Sequence, residues 1–175
     1  MEAHTSGRVR IAIGRASDFF GPRVLASAAG EQVFGRAVEG KSVQVAGDPD
    51  QPHTYTYVPD IGRGLVTLGE HEEALGRAWH LPSSETLTTR EFVEMIFEEV
   101  GKPARIQAAP KLVLRALGLF SPPLRETIEM LYEFEEPFVM DHSDFTRAFG
   151  DHATPLGEAI RETVRWYRGK RPTGE

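Results

Sequence analysis

The sequence contains no cysteine and no asparagine, and only four of its 20 basic residues are lysine. Without cysteine, the chain has no disulfide, no thiolate nucleophile, no iron–sulfur cluster and no cysteine-rich zinc site. Without asparagine, it has no acceptor for N-glycosylation. The excess of arginine over lysine suggests a GC-rich, bacterial coding bias, which bears on the source of the protein and not on its chemistry.

Long apolar runs and an excess of positive charge are also missing. No run approaches the ~20 apolar residues that a membrane-spanning helix needs, and no basic start leads into an apolar stretch, so we expect no signal peptide. The net charge of −6 argues against binding to nucleic acid or to an anionic membrane surface. We therefore expect a cytoplasmic protein whose partner is a small molecule.

The 175 residues, 40% of them hydrophobic, suit one domain or a large piece of one. Apolar periodicity, turn residues and helix-start signals predict an alternating order of elements. The predicted strands are 8–14, 42–46, 54–58, 78–81 and 104–108, and the predicted helices are 24–39, 59–68, 89–100, 110–117, 124–134, 143–149 and 155–168. Residues 15–22 are predicted to form a loop. This order predicts an α/β fold with a helical C-terminal cluster.

The segment from Gly35 to Ser42 matches G-x-x-x-x-G-K-S, the pattern of a phosphate-binding loop. A working loop of that kind follows a strand and opens a helix, so that amide groups and the helix N-terminus point at the phosphates. Here a predicted helix leads in and a predicted strand leaves, which places the negative helix end and Glu39 where phosphate would bind. We predict that Gly40 ends a helix and that the segment binds no nucleotide.

Other catalytic patterns are incomplete. The six histidines form no His-x-x-x-His pair, and no serine lies in a G-x-S-x-G turn, so we expect neither a metal site nor a serine hydrolase. Gly62-Arg63-Gly64 lacks the third glycine of the dinucleotide fingerprint and is predicted to serve close helix packing. No lysine follows a tyrosine by four residues, so the Tyr-x-x-x-Lys pair is absent.

One cluster is more informative. Arg15-Ala16-Ser17-Asp18-Phe19-Phe20-Gly21-Pro22 follows a predicted strand and resembles the Arg-x-Ser-Asn-x-Tyr-Gly-Pro loop of the NAD-dependent epimerase/dehydratase family, the extended short-chain dehydrogenases/reductases. Three later segments resemble family signatures in the same order. They are His53 to Asp60, Thr88 to Phe92, and 141–167. The resemblance covers about residues 4 to 168.

The resemblance implies the C-terminal half of such a protein: the last part of a Rossmann-like parallel sheet and a small, mostly helical substrate-binding domain. The remnants of the Rossmann-like domain would comprise about residues 1–24 and pieces near 54–82. The substrate-binding domain would comprise about residues 25–53 and 83–168, and residues 169–175 would form a frayed tail. In the family the glycine-rich loop and the Tyr-x-x-x-Lys pair precede the first strand of this sequence. We therefore expect a truncated chain without a catalytic residue, inactive alone.

The resemblance also implies site residues. Arg15, Ala16 and Ser17 would lie by NAD or NADP, although Arg15 is equally compatible with a structural role. The substrate would be lined by Asp18, Phe19, Phe20, His53 and Tyr55. At the position of Asp18 the family commonly has Asn. At the position of His53 it often has an Arg that clamps a diphosphate. Because histidine offers no bidentate fork, a smaller substrate without a diphosphate is favoured. A surface loop position remains an equal alternative for His53.

Three functions stay open from the sequence. The first is the substrate-binding portion of an NAD(P)-dependent epimerase, dehydratase or reductase. The second is a stand-alone small-molecule-binding or protein-interaction module derived from that family. The third is a split enzyme that pairs with a separate Rossmann half. For the first we expect little or no NAD(P) binding by this chain alone, and self-association through the open edge of the first strand.

Overall fold

The computed structural model describes residues 2–7, 9–108 and 134–170. The helices are Glu2–Thr5 (α1), Arg36–Glu39 (α2), Val58–Glu70 (α3), Thr89–Val100 (α4), Ser143–Phe149 (α5) and Leu156–Lys170 (α6). A π-helical turn, Glu31–Gly35, leads into α2, and a 3-10 turn, Glu72–Ala74, follows α3. The strands are Ile13–Arg15 (β1), Asp18–Phe20 (β2), Val43–Val45 (β3), Pro52–His53 (β4), Tyr55–Tyr57 (β5), Ala78–His80 (β6), Leu87–Thr88 (β7) and Ile106–Ala108 (β8).

Short strand pairs, most of them parallel, organise the chain. β1 pairs with β6, β2 with β5, and β3 with β8, each in parallel, whereas β4 and β7 are antiparallel. Parallel neighbours need a crossover, which helices supply in α/β proteins, and α3 lies in the connection that leads from β1 to β6. The structure confirms the predicted α/β class. Within the described ranges, no strand pairs with the second edge of β1.

Three element predictions before residue 40 are wrong. The first strand is Ile13–Arg15 rather than 8–14, and the predicted loop 15–22 contains β2. The predicted helix 24–39 is helical only from Glu31 onward. Its first part is a turn in which Gly30 approaches the Leu25 carbonyl so closely that a Cβ there would lie 2.7 Å from the oxygen. The predicted helices 110–117 and 124–134 lie outside the described residues, except for residue 134.

Several local predictions are confirmed. Thr88 caps α4: its hydroxyl accepts from the Glu91 amide while the Glu91 carboxylate accepts from the Thr88 amide, as in a capping box. Gly40 ends α2 in the left-handed conformation, with φ of 73°. The helix therefore precedes Gly40 and β3 follows it, which is the reverse of a phosphate-binding loop.

Two hydrophobic clusters hold the described elements together. The larger one joins β2, β3, β5, α4 and α6, and at its centre the Phe20 ring packs on Phe34, Tyr57 and Phe92 at centroid distances of 5.1–5.7 Å. The smaller one joins α3, β6 and α5 through Leu68, Ala74, Trp79, Leu81 and Phe145.

Gly64 and Gly14 let β1 and α3 approach this smaller cluster. A Cβ on Gly64 would lie 2.9 Å from a Leu81 methyl group, and one on Gly14 would lie 2.7 Å from Leu65. Close packing is thus the role of Gly64, as the sequence predicts, whereas Gly62 has no neighbour within 4 Å of such a Cβ. In the part of the chain that the structure describes, no helix has the length and apolar character needed to cross a bilayer. The division of the chain into two domains stays a prediction.

Candidate functional site

The predicted site residues meet where β1 leads into β2. β1 ends at Arg15, Ala16 is exposed, Ser17 is buried, and Asp18 opens β2. Because β2 runs parallel to β5 with Asp18 opposite Tyr55, the strand just before β5 comes close as well. That strand carries His53, and its Nε2 lies 3.0 Å from Asp18 Oδ2. Two residues 35 positions apart are thus joined by a hydrogen bond.

His53 is buried, with only 2% of its surface exposed, so the alternative of a surface loop histidine is wrong. Its ring lies among three aromatic rings, with centroid distances of 4.7 Å to Tyr55, 5.5 Å to Phe134 and 5.1 Å to Phe138. The Phe134 ring is stacked on the imidazole at an interplanar angle of 5°. This enclosure restricts the imidazole to one orientation.

The enclosing segment is held by backbone hydrogen bonds. The Phe138 amide donates to the Pro52 carbonyl at 2.8 Å, and the Thr54 amide donates to the Phe138 carbonyl at 2.9 Å. The Met140 amide donates to the Thr54 hydroxyl at 3.1 Å. Phe134 and Phe138 were not predicted from the sequence as residues of the site. The only available signal was the aromatic density between residues 132 and 138.

Asp18 is the accessible member of the pair. Its side chain keeps 30% of its surface exposed, against 3% for His53. His53 occupies Oδ2, and no described residue donates a hydrogen bond to Oδ1. An ionised carboxylate has roughly four acceptor positions, so Asp18 retains the capacity to accept from a ligand.

A chain of three buried hydroxyl groups fixes the loop between β1 and β2. Ser17 Oγ lies 2.8 Å from Thr56 Oγ1, which lies 2.8 Å from Ser83 Oγ. The Ser17 amide also donates to Thr56 Oγ1 at 3.3 Å. Because buried hydroxyl groups are costly to leave unpaired, this chain ties the loop to β5 and to the segment after β6. Thr56 and Ser83 were not predicted from the sequence as residues of the site.

Two of the predicted substrate-binding residues are core residues, and their predicted direct contact needs correction. Phe20 has no exposed surface, and Tyr55 has only 4%. The Tyr55 ring stacks on Phe92 at 4.2 Å, and its hydroxyl lies 2.9 Å from Thr89 Oγ1. Burial raises the pKa of Tyr55 against the opposing effect of that hydrogen bond. These two rings can support the walls of a site, but they have no free face to present to a ligand.

The residues predicted to lie by the cofactor are at the carboxyl end of β1. In open parallel sheets, ligands bind outside the carboxyl ends of the strands. Arg15 and Ala16 are exposed there, and Phe19 on the neighbouring strand keeps 44% of its surface exposed. Among the residues that the structure describes, no group of three or more His, Asp or Glu side chains could hold a metal ion.

Surface depressions of about 430, 470 and 640 Å³ lie elsewhere on the described chain. The first is on α3 beside His152, the second is between α3 and residues 10–12, and the third surrounds the start of α5. Neither Asp18 nor His53 lines any of the three. The described residues around the Asp18–His53 pair come from β2, β4 and the segment 134–140.

Comparisons with known proteins bear on the fold. No family model matches the sequence. A curated relative, the dTDP-4-dehydro-6-deoxy-D-allose reductase of a Streptomyces species, is 24% identical over 139 residues, which cover 78% of this chain and 35% of the relative.

Solved structures match nearly the whole chain. UDP-glucuronic acid 4-epimerase from Bacillus cereus, in complex with UDP-glucuronic acid and NAD, matches with a TM-score of 0.73 and 18% identity, covering 96% of this chain and 48% of the epimerase. dTDP-glucose 4,6-dehydratase from Streptomyces venezuelae, with NAD bound, matches with a TM-score of 0.68 and 18% identity, covering 95% and 46%. The chain spans about half the length of these structures and about a third of the curated relative. The predicted resemblance in fold to the C-terminal half of the NAD-dependent epimerases and dehydratases is thereby confirmed.

Proposed function

We propose that this chain is the substrate-binding portion of an NAD(P)-dependent epimerase, dehydratase or reductase. The observation that supports it most is the match of 96% of the chain to about half of an epimerase that binds UDP-glucuronic acid and NAD. The carboxyl end of β1, with Arg15 to Ser17, would form the wall facing the nicotinamide. Asp18 and the exposed Phe19 would face the substrate, and His53 would orient the Asp18 carboxylate through its hydrogen bond to Oδ2.

By itself this portion would not transfer a hydride. Hydride transfer needs a bound nicotinamide, and a catalytic tyrosinate needs a nearby positive charge to lower its pKa. The sequence contains neither the complete dinucleotide glycine fingerprint nor a Tyr-x-x-x-Lys pair. Activity would therefore require a nucleotide-binding half, in the same polypeptide or as a separate one.

The surface around β1 supports this requirement. Parallel strands are almost always buried on both faces and paired at their edges, whereas Ile13 on β1 keeps 37% of its surface exposed. On the neighbouring helix α3, Leu65 and Val66 are about half exposed. A nucleotide-binding half that continued the sheet beyond β1 would cover this edge.

The test begins with the DNA upstream of the codon for Met1. A glycine-rich loop and a Tyr-x-x-x-Lys pair encoded in frame would allow the joined protein to be expressed, and we expect it to bind NAD(P) and to convert a substrate. A reductase would consume NAD(P)H and lower the absorbance at 340 nm, whereas an epimerase or dehydratase returns the hydride to the substrate and is followed by its product. Calorimetric titration of this chain alone should show no comparable binding. A micromolar or tighter dissociation constant for NAD(P) with this chain alone would contradict the need for a second half.

A stand-alone small-molecule-binding or interaction module is the second candidate, and the missing catalytic pair favours it. Light scattering and thermal unfolding distinguish the two. A half protein with an open parallel edge should self-associate or melt without cooperativity. A monomer with a cooperative melt would favour the module.

A further inference from the structure

Two hydroxyl contacts join the segment after β6 to the chain around β5. Ser83 Oγ lies 2.8 Å from Thr56 Oγ1, and Thr86 Oγ1 lies 2.9 Å from Thr54 Oγ1. Thr54, Thr56 and Ser83 are buried, whereas Thr86 is exposed. Because a buried hydroxyl group is costly to leave unpaired, each contact restrains the two segments that it joins.

The contact between Ser83 and Thr56 continues to Asp18. Thr56 Oγ1 lies 2.8 Å from Ser17 Oγ and also accepts a hydrogen bond from the Ser17 amide at 3.3 Å. Ser17 directly precedes Asp18, which opens β2 opposite Tyr55 on β5. Ser83 therefore restrains the backbone of Asp18 through Thr56.

The contact between Thr86 and Thr54 continues to His53. Thr54 directly follows His53, and its hydroxyl accepts a hydrogen bond from the Met140 amide at 3.1 Å. The Thr54 amide donates to the Phe138 carbonyl, and the Phe138 ring lies 5.1 Å from the imidazole. Thr86 therefore restrains, through Thr54, both the backbone of His53 and one of the rings that enclose it.

The two contacts thus lead to the two partners of one hydrogen bond. His53 Nε2 and Asp18 Oδ2 are 3.0 Å apart but belong to residues 35 positions apart, so their distance depends on how the two backbones are held. Ser83 and Thr86 lie three positions apart in a single segment. Buried hydroxyl networks whose members are all paired are rigid, so this short segment holds both partners.

We propose that Thr56 and Thr54 are positioning residues of the site, and that segment 83–86 sets through them the geometry of the Asp18–His53 hydrogen bond. The proposal rests on the proposed function, because the pair belongs to the site where the substrate would bind. It assigns no ligand contact to the hydroxyl groups, which act through Asp18 and His53. A carboxylate oriented before a ligand arrives has less ordering to lose on binding.

The first experiment is NMR spectroscopy of the ¹⁵N-labelled chain with two variants of Thr56. Thr56→Val has nearly the same shape but no hydroxyl group, whereas Thr56→Ser keeps the hydroxyl and loses a methyl group. We expect Thr56→Val to speed hydrogen exchange of the Ser17 amide about fivefold, the usual order for one neutral hydrogen bond. We expect the His53 Nε2–H proton, which is donated to Asp18, to exchange about fivefold faster as well. Thr56→Ser should keep both rates near those of the unchanged chain.

Thr86→Val tests the other contact at an exposed position, where the fold tolerates substitution. We expect it to shift the amide signals of Phe138 and Met140 and to speed exchange of the His53 Nε2–H proton. The Ser17 amide should exchange as in the unchanged chain. Far-UV circular dichroism identifies a Thr56→Val chain that fails to fold, and Thr86→Val then carries the test.

Thr163→Val is the matched control. Thr163 is as buried as Thr56, and its hydroxyl donates to the Ala159 carbonyl at 2.7 Å, but this bond lies within α6. The control removes a buried hydroxyl group without touching segment 83–86. We expect it to leave the exchange rate of the His53 Nε2–H proton unchanged.

Three results would overturn the proposal. They are an unchanged His53 Nε2–H exchange rate in Thr56→Val, an unchanged rate in Thr86→Val, and an equal increase in Thr163→Val. A side chain at position 56 that only filled space would give the reverse order of variants, with Thr56→Ser more disturbed than Thr56→Val, and this too would overturn it. The proposed function fails differently, through the absence of NAD(P) binding and substrate conversion in a joined protein, which leaves the exchange rates of this chain as they are.

Discussion

Asp60 provides the sharpest test of what holds the described chain together. It lies in the first turn of α3 with 1% of its surface exposed. Its Oδ2 accepts from the Thr154 amide at 2.8 Å, and its Oδ1 accepts from the Thr154 hydroxyl at 2.7 Å and from Arg63. One carboxylate thus ties the start of α3 to the segment just before α6.

The magnitude follows from these partners. Asp60→Asn keeps the shape of the side chain but removes its charge. The NH2 group of the new amide would face either the Thr154 amide or the Thr154 hydroxyl, both of which are donors in the present structure. Hydrogen bonds to charged groups contribute about 1.5–3 kcal/mol each, and breaking a buried charged pair costs about 3–5 kcal/mol. We expect Asp60→Asn to lower the free energy of unfolding by about 2–4 kcal/mol. Arg63→Ala should cost less than Asp60→Asn, since half of the Arg63 side chain is exposed and Asp60 keeps both hydrogen bonds from Thr154.

Urea unfolding measures these differences as shifts of the midpoint at constant slope. Asp144→Asn is the matched control, because Asp144 also pairs with arginines, Arg77 and Arg147, but at an exposed position. We expect the control to change stability by about 0–1 kcal/mol. A difference of less than about 0.5 kcal/mol between Asp60→Asn and the control, which is the range of ordinary surface substitutions, would contradict this role of Asp60. The same role is contradicted if Arg63→Ala costs as much as Asp60→Asn.

Two further predictions concern the backbone near His53 and the behaviour at high pH. Gly47→Ala should destabilise the chain and shift the amide signal of Phe138, because Gly47 has φ of 68° and a Cβ there would overlap the Phe134 carbonyl; an unchanged urea midpoint and NMR spectrum would contradict this. Raising the pH above about 10, the ordinary tyrosine pKa, should lower the urea midpoint. Burial is the main cause that raises the pKa of Tyr55 and Tyr57, and for Tyr57 the hydrogen bond to Glu162 raises it further. The unfolded chain therefore loses these protons at a lower pH than the folded chain does, and the stability falls. Tyr57→Phe should make the fall smaller, and an equal fall would contradict the assignment.

Features that depend on neighbours in sequence could be predicted. The capping box needs only Thr88 and Glu91, three residues apart, and the helix end at Gly40 needs only a residue that tolerates positive φ. The rejection of the phosphate-binding loop followed from the same local order of helix and strand. Each of these inferences rests on an interaction within about one helical turn.

Features that depend on partners far away in the sequence could not be predicted. The segment 18–20 becomes a strand because it pairs with Tyr55–Tyr57, and no local pattern shows that pairing. Phe20 and Tyr55 were placed in the site by resemblance alone, whereas β2–β5 pairing and packing on α4 direct both rings into the core. The burial of His53 depends on Phe138, which lies 85 positions further along the chain.

Asp18 and His53 are best regarded as one unit. Each departs from the residue that the family commonly has at its position, and the two departures lie 3.0 Å apart in the structure. A substitution at either position removes the hydrogen-bond partner of the other. Without Asp18, the buried imidazole would lose its acceptor, and without His53, the carboxylate would lose its only described donor. Residues in direct contact are not additive, so the effect of changing both should differ from the sum of the single effects. The orientation of the Asp18 carboxylate therefore follows from the pair, and neither residue alone determines it.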